Sequence, residues 1–230
     1  MERSISRYEA WFLMLGGLFV AALVVCNLIA SKFVTVDLGF LGFTNPFVVS
    51  AGVLPYPVTF LITDILSEVY GRRRANQVVL TGFAASVFVL GILLLGDVFS
   101  AIPESPVDDA TYTEVFGKAP RVVFASMVAY LVAQLVDIRV FHFWKRVTNG
   151  RHLWLRNNAS TVFSQLVDTI LVVSVLFVGV KSTGEIAALV VDGWLFKILC
   201  ALVDTPIFYL AVGGFRRALA DRPGVSQVDR

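Results

Sequence analysis

Charge is scarce in this chain. Lys, Arg, Asp and Glu make up 16% of its 230 residues, against about a quarter in a soluble globular domain. A soluble fold of this length could bury a core, but it would need a polar coat that these residues cannot supply. The net charge is only +2, and the basic residues form short clusters rather than a stripe, which argues against nucleic acid as a partner. Two cysteines and two histidines complete the shortages. Cys26 and Cys200 both lie inside apolar runs, read as small hydrophobes, with neither a disulfide framework nor metal-ligand spacing. His142 and His152 lack ligand company as well, so no metal and no cofactor is expected. There is no G-x-x-x-x-G-K-S/T loop, so the chain is not expected to hydrolyse ATP itself.

What the chain does have is apolar length: 57% of its residues are hydrophobic and its mean hydropathy is +0.78. Arg3 and Arg7 precede an apolar stretch, but that stretch is too long for a signal peptide and reads as a retained span. A span needs about 20 mostly apolar residues to cross a ~30 Å hydrocarbon core. Six segments qualify, at about 9–33, 48–70, 75–99, 120–143, 159–180 and 185–215. The chain is therefore expected to be all-α and polytopic, one six-helix transmembrane domain over 1–230. Polar joints separate the spans at Gly71 to Arg74, Ile102 to Gly117, Thr148 to Asn158 and Lys181 to Gly184. One side of the membrane collects Arg3, Arg7, Arg72, Arg73, Arg74, Lys145, Arg146, Arg151, Arg156, Arg216 and Arg217. The other holds Lys118, Lys181, Lys32, Arg121 and an acidic loop with Glu104, Asp108, Asp109 and Glu114. This bias places both ends in the cytoplasm, with the triple arginine read as a topology anchor.

The informative residues are those that lipid should exclude. Asp64 and Glu68 sit four apart in the second span, on one helical face. Gln134 and Asp137 lie in the fourth span, Gln165 and Asp168 in the fifth, Lys197 and Asp204 in the sixth, and Asn27 deep in the first. A charge at the bilayer centre costs at least ~2.5–3.5 kcal/mol, so such residues face one another or a water-filled cavity. Counted at ~1.5 Å per residue from the cytoplasmic ends, the acids and glutamines fall between that edge and the midplane. Lys197 and Asn27 fall nearer the outer half. One polar cavity opening toward the cytoplasm accounts for all of them. Gln134-Leu-Val-Asp137 and Gln165-Leu-Val-Asp168 repeat at an offset of 31, with amide and carboxylate on one helix face, and antiparallel neighbours could set them opposite each other.

Carboxylates and amides in such a pocket suit a planar heterocycle with adjacent donors and acceptors. Phe141 and Trp144, on the Asp137 face, could stack on its ring, or could be interfacial aromatics. The acids outnumber their buried cationic candidates, Lys197 and Arg139, which leaves a proton to carry or a cationic substrate to match. Asp64, Glu68 and Asp204 are the candidates for proton coupling. A structural network of interhelical hydrogen bonds is the competing explanation.

The same residues carry a resemblance. Asn27-Leu-Ile-Ala-Ser31-Lys32, followed by Tyr56-Pro-Val-Thr-Phe-Leu-Ile-Thr-Asp64-Ile-Leu-Ser-Glu68-Val-Tyr-Gly71, resembles the opening signatures of the queuosine precursor transporters, also called the vitamin uptake transporter family. Gln134-Leu-Val-Asp137 with Phe141 and Trp144-Lys145 is similar to the family's fourth-span pattern. Trp154-Leu-Arg156-Asn157-Asn158-Ala-Ser160-Thr161, leading to Ser164-Gln165 and Asp168-Thr169, resembles its most recognisable motif. Lys197 falls where the family has a lysine in its last span.

The resemblance implies a bacterial inner-membrane importer of 7-deazaguanine bases, the salvageable precursors of a tRNA nucleoside. It also implies a six-helix fold similar to the substrate-binding components of energy-coupling-factor transporters, working without a dedicated ATPase. Asp137, Asp168, Gln134 and Gln165 are then the first substrate contacts, with Asn27, Asp64, Asn158 and Lys197 next. Ser160 and Thr161 would be substrate contacts or caps of the fifth helix.

Three alternatives stay open. The pocket could serve another small heterocycle or vitamin, or the chain could be a binding subunit with a separate energising partner, and a homo-oligomer is compatible with either. An intramembrane acid-base enzyme is disfavoured, because no G-x-G-D element is present and no catalytic residue suggests itself.

Overall fold

The computed structural model describes residues 7–29, 32–37, 39, 47–117, 120–177, 179 and 181–220. Arg3, Ser31 and Lys118, named above, lie outside them. Among the described residues the helices are α1 (Arg7–Leu28), α2 (Tyr56–Val69), α3 (Gly71–Val98), α4 (Asp109–Phe116), α5 (Pro120–Val147), α6 (Leu153–Phe177) and α7 (Thr183–Ala220), with a two-stranded hairpin, β1 (Phe33–Val36) and β2 (Phe47–Ser50). Six stretches are long and apolar enough to cross a membrane: Arg7–Leu28, Ala51–Val69, Gly71–Val98, Met127–Val147, Leu153–Val175 and Thr183–Phe215. The protein is an all-α polytopic membrane protein.

The bundle is built inside out. Leu13, Phe88, Val203 and Leu210 present their side chains outward, while Asp64, Gln134, Asp137, Gln165 and Asp168 are buried between helices. In water this distribution would be reversed; in lipid it puts apolar atoms against the tails and polar ones against each other. A core of Phe19, Leu66, Val79, Ile138, Phe141 and Phe208 ties the helices together.

Several boundaries differ from the sequence expectation. The first span was expected to reach Phe33, but the helix stops at Leu28 and the β-branched run through Val36 pairs antiparallel with 47–50, Phe33 opposite Ser50. The second was expected to start near Val48. Its helix begins only at Tyr56, after a single 3-10 turn at Ala51–Val53 whose Gly52 N–H donates to Ser50 Oγ at 3.1 Å. Pro55 and Pro57 pin the helix start here, where missing N–H groups cost nothing. At 14 residues and ~1.5 Å each, α2 alone is too short for the hydrocarbon core. Irregular backbone at this depth is tolerated where it is covered by protein or lines a cavity, and Ala51 and Gly52 are buried.

The expected joint at Thr148 to Asn158 is shorter than anticipated. A turn with Asn149, Gly150 and His152 at positive φ reverses the chain, and α6 begins at Leu153. Trp154, Arg156, Asn157 and Asn158 therefore belong to the helix, and Ser160 and Thr161 are buried within it rather than capping its end. The acidic outer segment contains α4, capped by Asp108, which accepts from the Thr111 N–H at 2.7 Å. That bond holds the Asp108 carboxyl below its ordinary pKa. Tyr112 Oη donates to the Leu93 carbonyl at 3.1 Å and fastens α4 to α3.

α2 and α3 meet at Gly71, whose φ of +82° is disfavoured for residues with a Cβ. Arg72, Arg73 and Arg74 form the first turn of α3 rather than a loop. Arg74 also does more than anchor topology: its guanidinium pairs with Glu9 at 3.0 Å and lies over the Tyr8 and Phe12 rings. Gly71→Ala is expected to cost about 1–2 kcal/mol, from the left-handed conformation alone, since an added Cβ meets nothing within 4 Å. The check is a melt in detergent, where the midpoint should fall by roughly 2–8 °C.

Candidate functional site

Three helices carry polar residues at helical spacing. On α6, Asn157, Ser160, Thr161, Ser164, Gln165, Asp168 and Thr169 recur at three- and four-residue steps and are all buried, an inward polar stripe on an otherwise apolar helix. On α2 the stripe is Thr59, Thr63, Asp64 and Ser67; on α5 it is Tyr130, Gln134 and Asp137. α5 packs along α6, α6 along α7, and α2 along both α5 and α7, so the stripes converge.

Their pairings fall into layers. Lys197 Nζ of α7 lies 2.6 Å from Asp168 Oδ2 of α6 and 4.7 Å from the centroid of the Tyr56 ring of α2. The Tyr56 hydroxyl sits beside Asp168. Next to this ion pair is a cavity of about 270 Å³, walled by Tyr56 and Phe60 of α2, Thr161 and Gln165 of α6, and Lys197, Cys200 and Asp204 of α7. Gln165 Oε1 is buried without a hydrogen-bond partner among the described residues, and such an orphan acceptor is costly unless something supplies a donor.

A second layer lies nearer the cytoplasmic end of α2; Asp64 and Asp137, expected above as substrate contacts, lie here and not in the cavity wall. The carboxyls of Asp64 and Asp137 face each other, with Thr161 beside the first and Ser160 and Ser164 beside the second. Ser164 Oγ donates to Asp137 Oδ1 at 2.9 Å. Beyond them Glu68 takes Arg156 at 2.7 Å on one oxygen and Lys145 at 3.2 Å on the other.

The remaining candidates are placed elsewhere. Gln134 is fully engaged: its Oε1 accepts from Thr63 at 3.1 Å and its Nε2 donates to the Tyr130 hydroxyl at 2.6 Å. The two Gln-Leu-Val-Asp quartets thus have different surroundings, one amide held by hydroxyls and the other open to the cavity. Asn158 Oδ1 accepts from Thr205 at 3.1 Å. Asn27 donates to its own helix at Leu23 and lines a different cavity of about 500 Å³ with Ser86, Leu93 and Phe116. Among the described residues, no acidic residue lines that larger space. Phe141 is buried beneath Arg156, 5.6 Å from ring centroid to guanidinium, and Trp144 is half-buried near the end of α5, outside the cavity wall. Arg139, expected as a cation for the acids, is exposed and donates to the Leu135 carbonyl. Arg156, read above as a loop residue, is the buried cation instead.

Tyr56 and Phe60 were not singled out from the sequence, although Tyr56 opens a recognised motif, and Cys200, read as a small hydrophobe, lines the cavity. The usable signal was the proline-marked start of α2, which aims a helix N-terminus at the cavity. Among the described residues no group of three or more His, Cys, Asp or Glu could hold a metal ion.

The chain is similar to known proteins. A family model described as putative vitamin uptake transporter matches residues 50–211. The chain is 32% identical over 161 residues to a probable queuosine precursor transporter of Bacillus subtilis, covering 70% of each protein. It is 27% identical over 146 residues to a probable queuosine precursor transporter of Haemophilus influenzae, covering 63% of this chain and 59% of that one. It is 24% identical over 185 residues to the queuosine precursor transporter of Escherichia coli, covering 76% and 78%. No solved structure matches.

Proposed function

Because the chain belongs to the putative vitamin uptake transporter family, we propose that it imports queuosine precursors, taken as 7-deazaguanine bases in the cavity between α2, α6 and α7. It is a multi-pass protein of a bacterial inner membrane. In this reading it moves its substrate without altering it, and the chain carries no ATPase motif of its own.

The observation that supports the site is the wall of that cavity: an acid, a cation, an unpartnered amide oxygen and two aromatic rings within one small space. Each has a counterpart on a guanine-like base. Adjacent ring and exocyclic N–H groups can donate in parallel to Asp204. The ring carbonyl can accept from Lys197, which Asp168 holds in place. An N–H on the remaining edge satisfies Gln165 Oε1, and Tyr56 and Phe60 offer faces for stacking. An aminomethyl substituent would bring a cation toward the same carboxylates.

A thermal-shift panel of 7-deazaguanine bases, guanine and vitamins against the purified protein tests the reading. The deazaguanines should raise the melting midpoint most, because bound ligand stabilises only the folded state. The same ligand should slow maleimide labelling of Cys200, which lines the cavity, and Cys200→Ala should lose that protected label. Stabilisation by a vitamin alone would move the assignment to that substrate; no ligand effect on Cys200 labelling would remove the cavity from the argument.

A further inference from the structure

The ion pairs above leave one buried group unaccounted for. Asp64 of α2 and Asp137 of α5 are 2% and 0% exposed, and their carboxyls meet. Among the described residues, Asp64 Oδ1 and Asp137 Oδ2 have no hydrogen-bond donor. The cations nearby are committed: Lys197 to Asp168, and Arg156 and Lys145 to Glu68. Arg74 of α3 is taken by Glu9 of α1. What α6 offers the pair is hydroxyls, Ser160, Thr161 and Ser164, and what α7 offers is another acid, Asp204. His142, on α5, stands with Lys145, Arg72 and Glu68 at the far end of α2. Two carboxyls in this position share a proton, because like charges in contact cannot both persist without a cation.

The position of the pair gives that proton a route. Thr161 and Asp204 belong both to the cavity wall and to the surroundings of Asp64. Glu68 lies one turn further along α2 toward the cytoplasm. Carboxyls therefore run from Asp204 through Asp64 and Asp137 to Glu68, from the cavity to the inner end of the bundle.

We propose that Asp64 and Asp137 form a single proton-binding site and that the protein is a proton-substrate symporter. The proton enters from the outer side by way of the cavity and Asp204 and is held between the two carboxyls. It leaves toward the cytoplasm as substrate is released there. One proton moves inward with each substrate and no bond of the substrate changes. The inference rests on the cavity being the substrate site, and its test separates the two.

The full chain is reconstituted in liposomes containing a trapped pH dye, with an aminomethyl-7-deazaguanine as probe. For the wild type, an acidic exterior should drive accumulation above the external concentration, up to about tenfold per pH unit for one proton per substrate. Adding probe without an imposed gradient should acidify the interior. Asp64→Asn and Asp137→Asn, which keep the shape and remove the shared proton, should still exchange labelled for unlabelled probe. Neither should accumulate it under the gradient nor acidify the interior. Gradient-independent wild-type uptake, or gradient-driven accumulation by either Asn variant, overturns the proposal. Failure of the wild type to bind the probe at all overturns the substrate site instead. Should one Asn variant not fold, the other and the wild-type dye signal still decide.

Discussion

Asp168→Asn is expected to reduce uptake by on the order of 100-fold while the protein still inserts and folds. The carboxylate at this position holds Lys197 at 2.6 Å, and Lys197 in turn lines the cavity and lies over the Tyr56 ring. Removing the negative charge releases the ammonium from the geometry in which it can donate to a substrate carbonyl. A hydrogen bond to a charged group contributes up to ~3 kcal/mol, and each ~1.4 kcal/mol is a factor of ten in affinity. The variant also leaves a largely buried cation without its partner, so some loss of stability accompanies the loss of uptake. A double variant separates the two effects. Asp168→Asn with Lys197→Met restores an uncharged, well-filled interior and should recover the melting midpoint, as buried pairs replaced by apolar groups of similar volume often do. If the pair is only scaffold, uptake recovers with stability. If the pair positions substrate, stability returns and uptake does not. Recovery of both would remove Asp168 and Lys197 from the site.

Much of this architecture is legible before any coordinates. Six spans follow from run length and the shortage of charge, because a lipid-facing surface must be apolar. The functional layer is legible for the same reason: Asp64, Asp137, Asp168 and Lys197 are conspicuous only because the segments around them are not polar. The start of α2 is harder to place. Val48 to Leu54 is as apolar as a helix, and hydropathy does not tell a strand and a 3-10 turn from helical backbone; only Pro55 and Pro57 mark the change. α4 has no apolar stripe, and its eight residues are held by Asp108 and Tyr112 rather than by hydrophobic periodicity.

Partner choice was the least legible property. Arg139 and Arg156 are equally arginine, and Gln134 and Gln165 sit in identical quartets, but their roles diverge in space. Arg139 faces outward on α5 whereas Arg156 faces inward on α6. Gln134 meets two threonines and a tyrosine, while Gln165 lines the cavity and its oxygen has no partner among the described residues. Such differences depend on helix rotation and on the residues opposite, which no local pattern encodes. One regularity did hold this information in advance. The serine, threonine and asparagine positions of α6, read together with Gln165 and Asp168, trace one continuous helical face, and a helix polar along one stripe in lipid turns that stripe inward.

Arg156→Ala should be the most destabilising single change outside the cavity, at about 3–5 kcal/mol, the usual cost of removing one partner from a buried ion pair. The guanidinium is 1% exposed and is held on three sides. It pairs with Glu68 at 2.7 Å, donates to the Gly150 carbonyl at 2.9 Å, and covers the Phe141 ring. These contacts join the end of α2, the end of α5, the turn after it and the start of α6. Lys145 is the other cation on Glu68, but its side chain is 34% exposed; Lys145→Ala should cost less than Arg156→Ala, because water reaches the side it vacates. Arg156→Lys should not rescue the loss, because an ammonium cannot reproduce the planar fork that reaches carboxylate and carbonyl together. Melting midpoints in detergent for the three variants test the ranking. The ordering Lys145→Ala mildest, with both Arg156 variants far lower, marks Arg156 as an interior bolt. Equal, small effects for all three would return it to the role of a surface charge that sets orientation, and would leave the junction of α2, α5 and α6 to be held by Phe141 and its apolar neighbours.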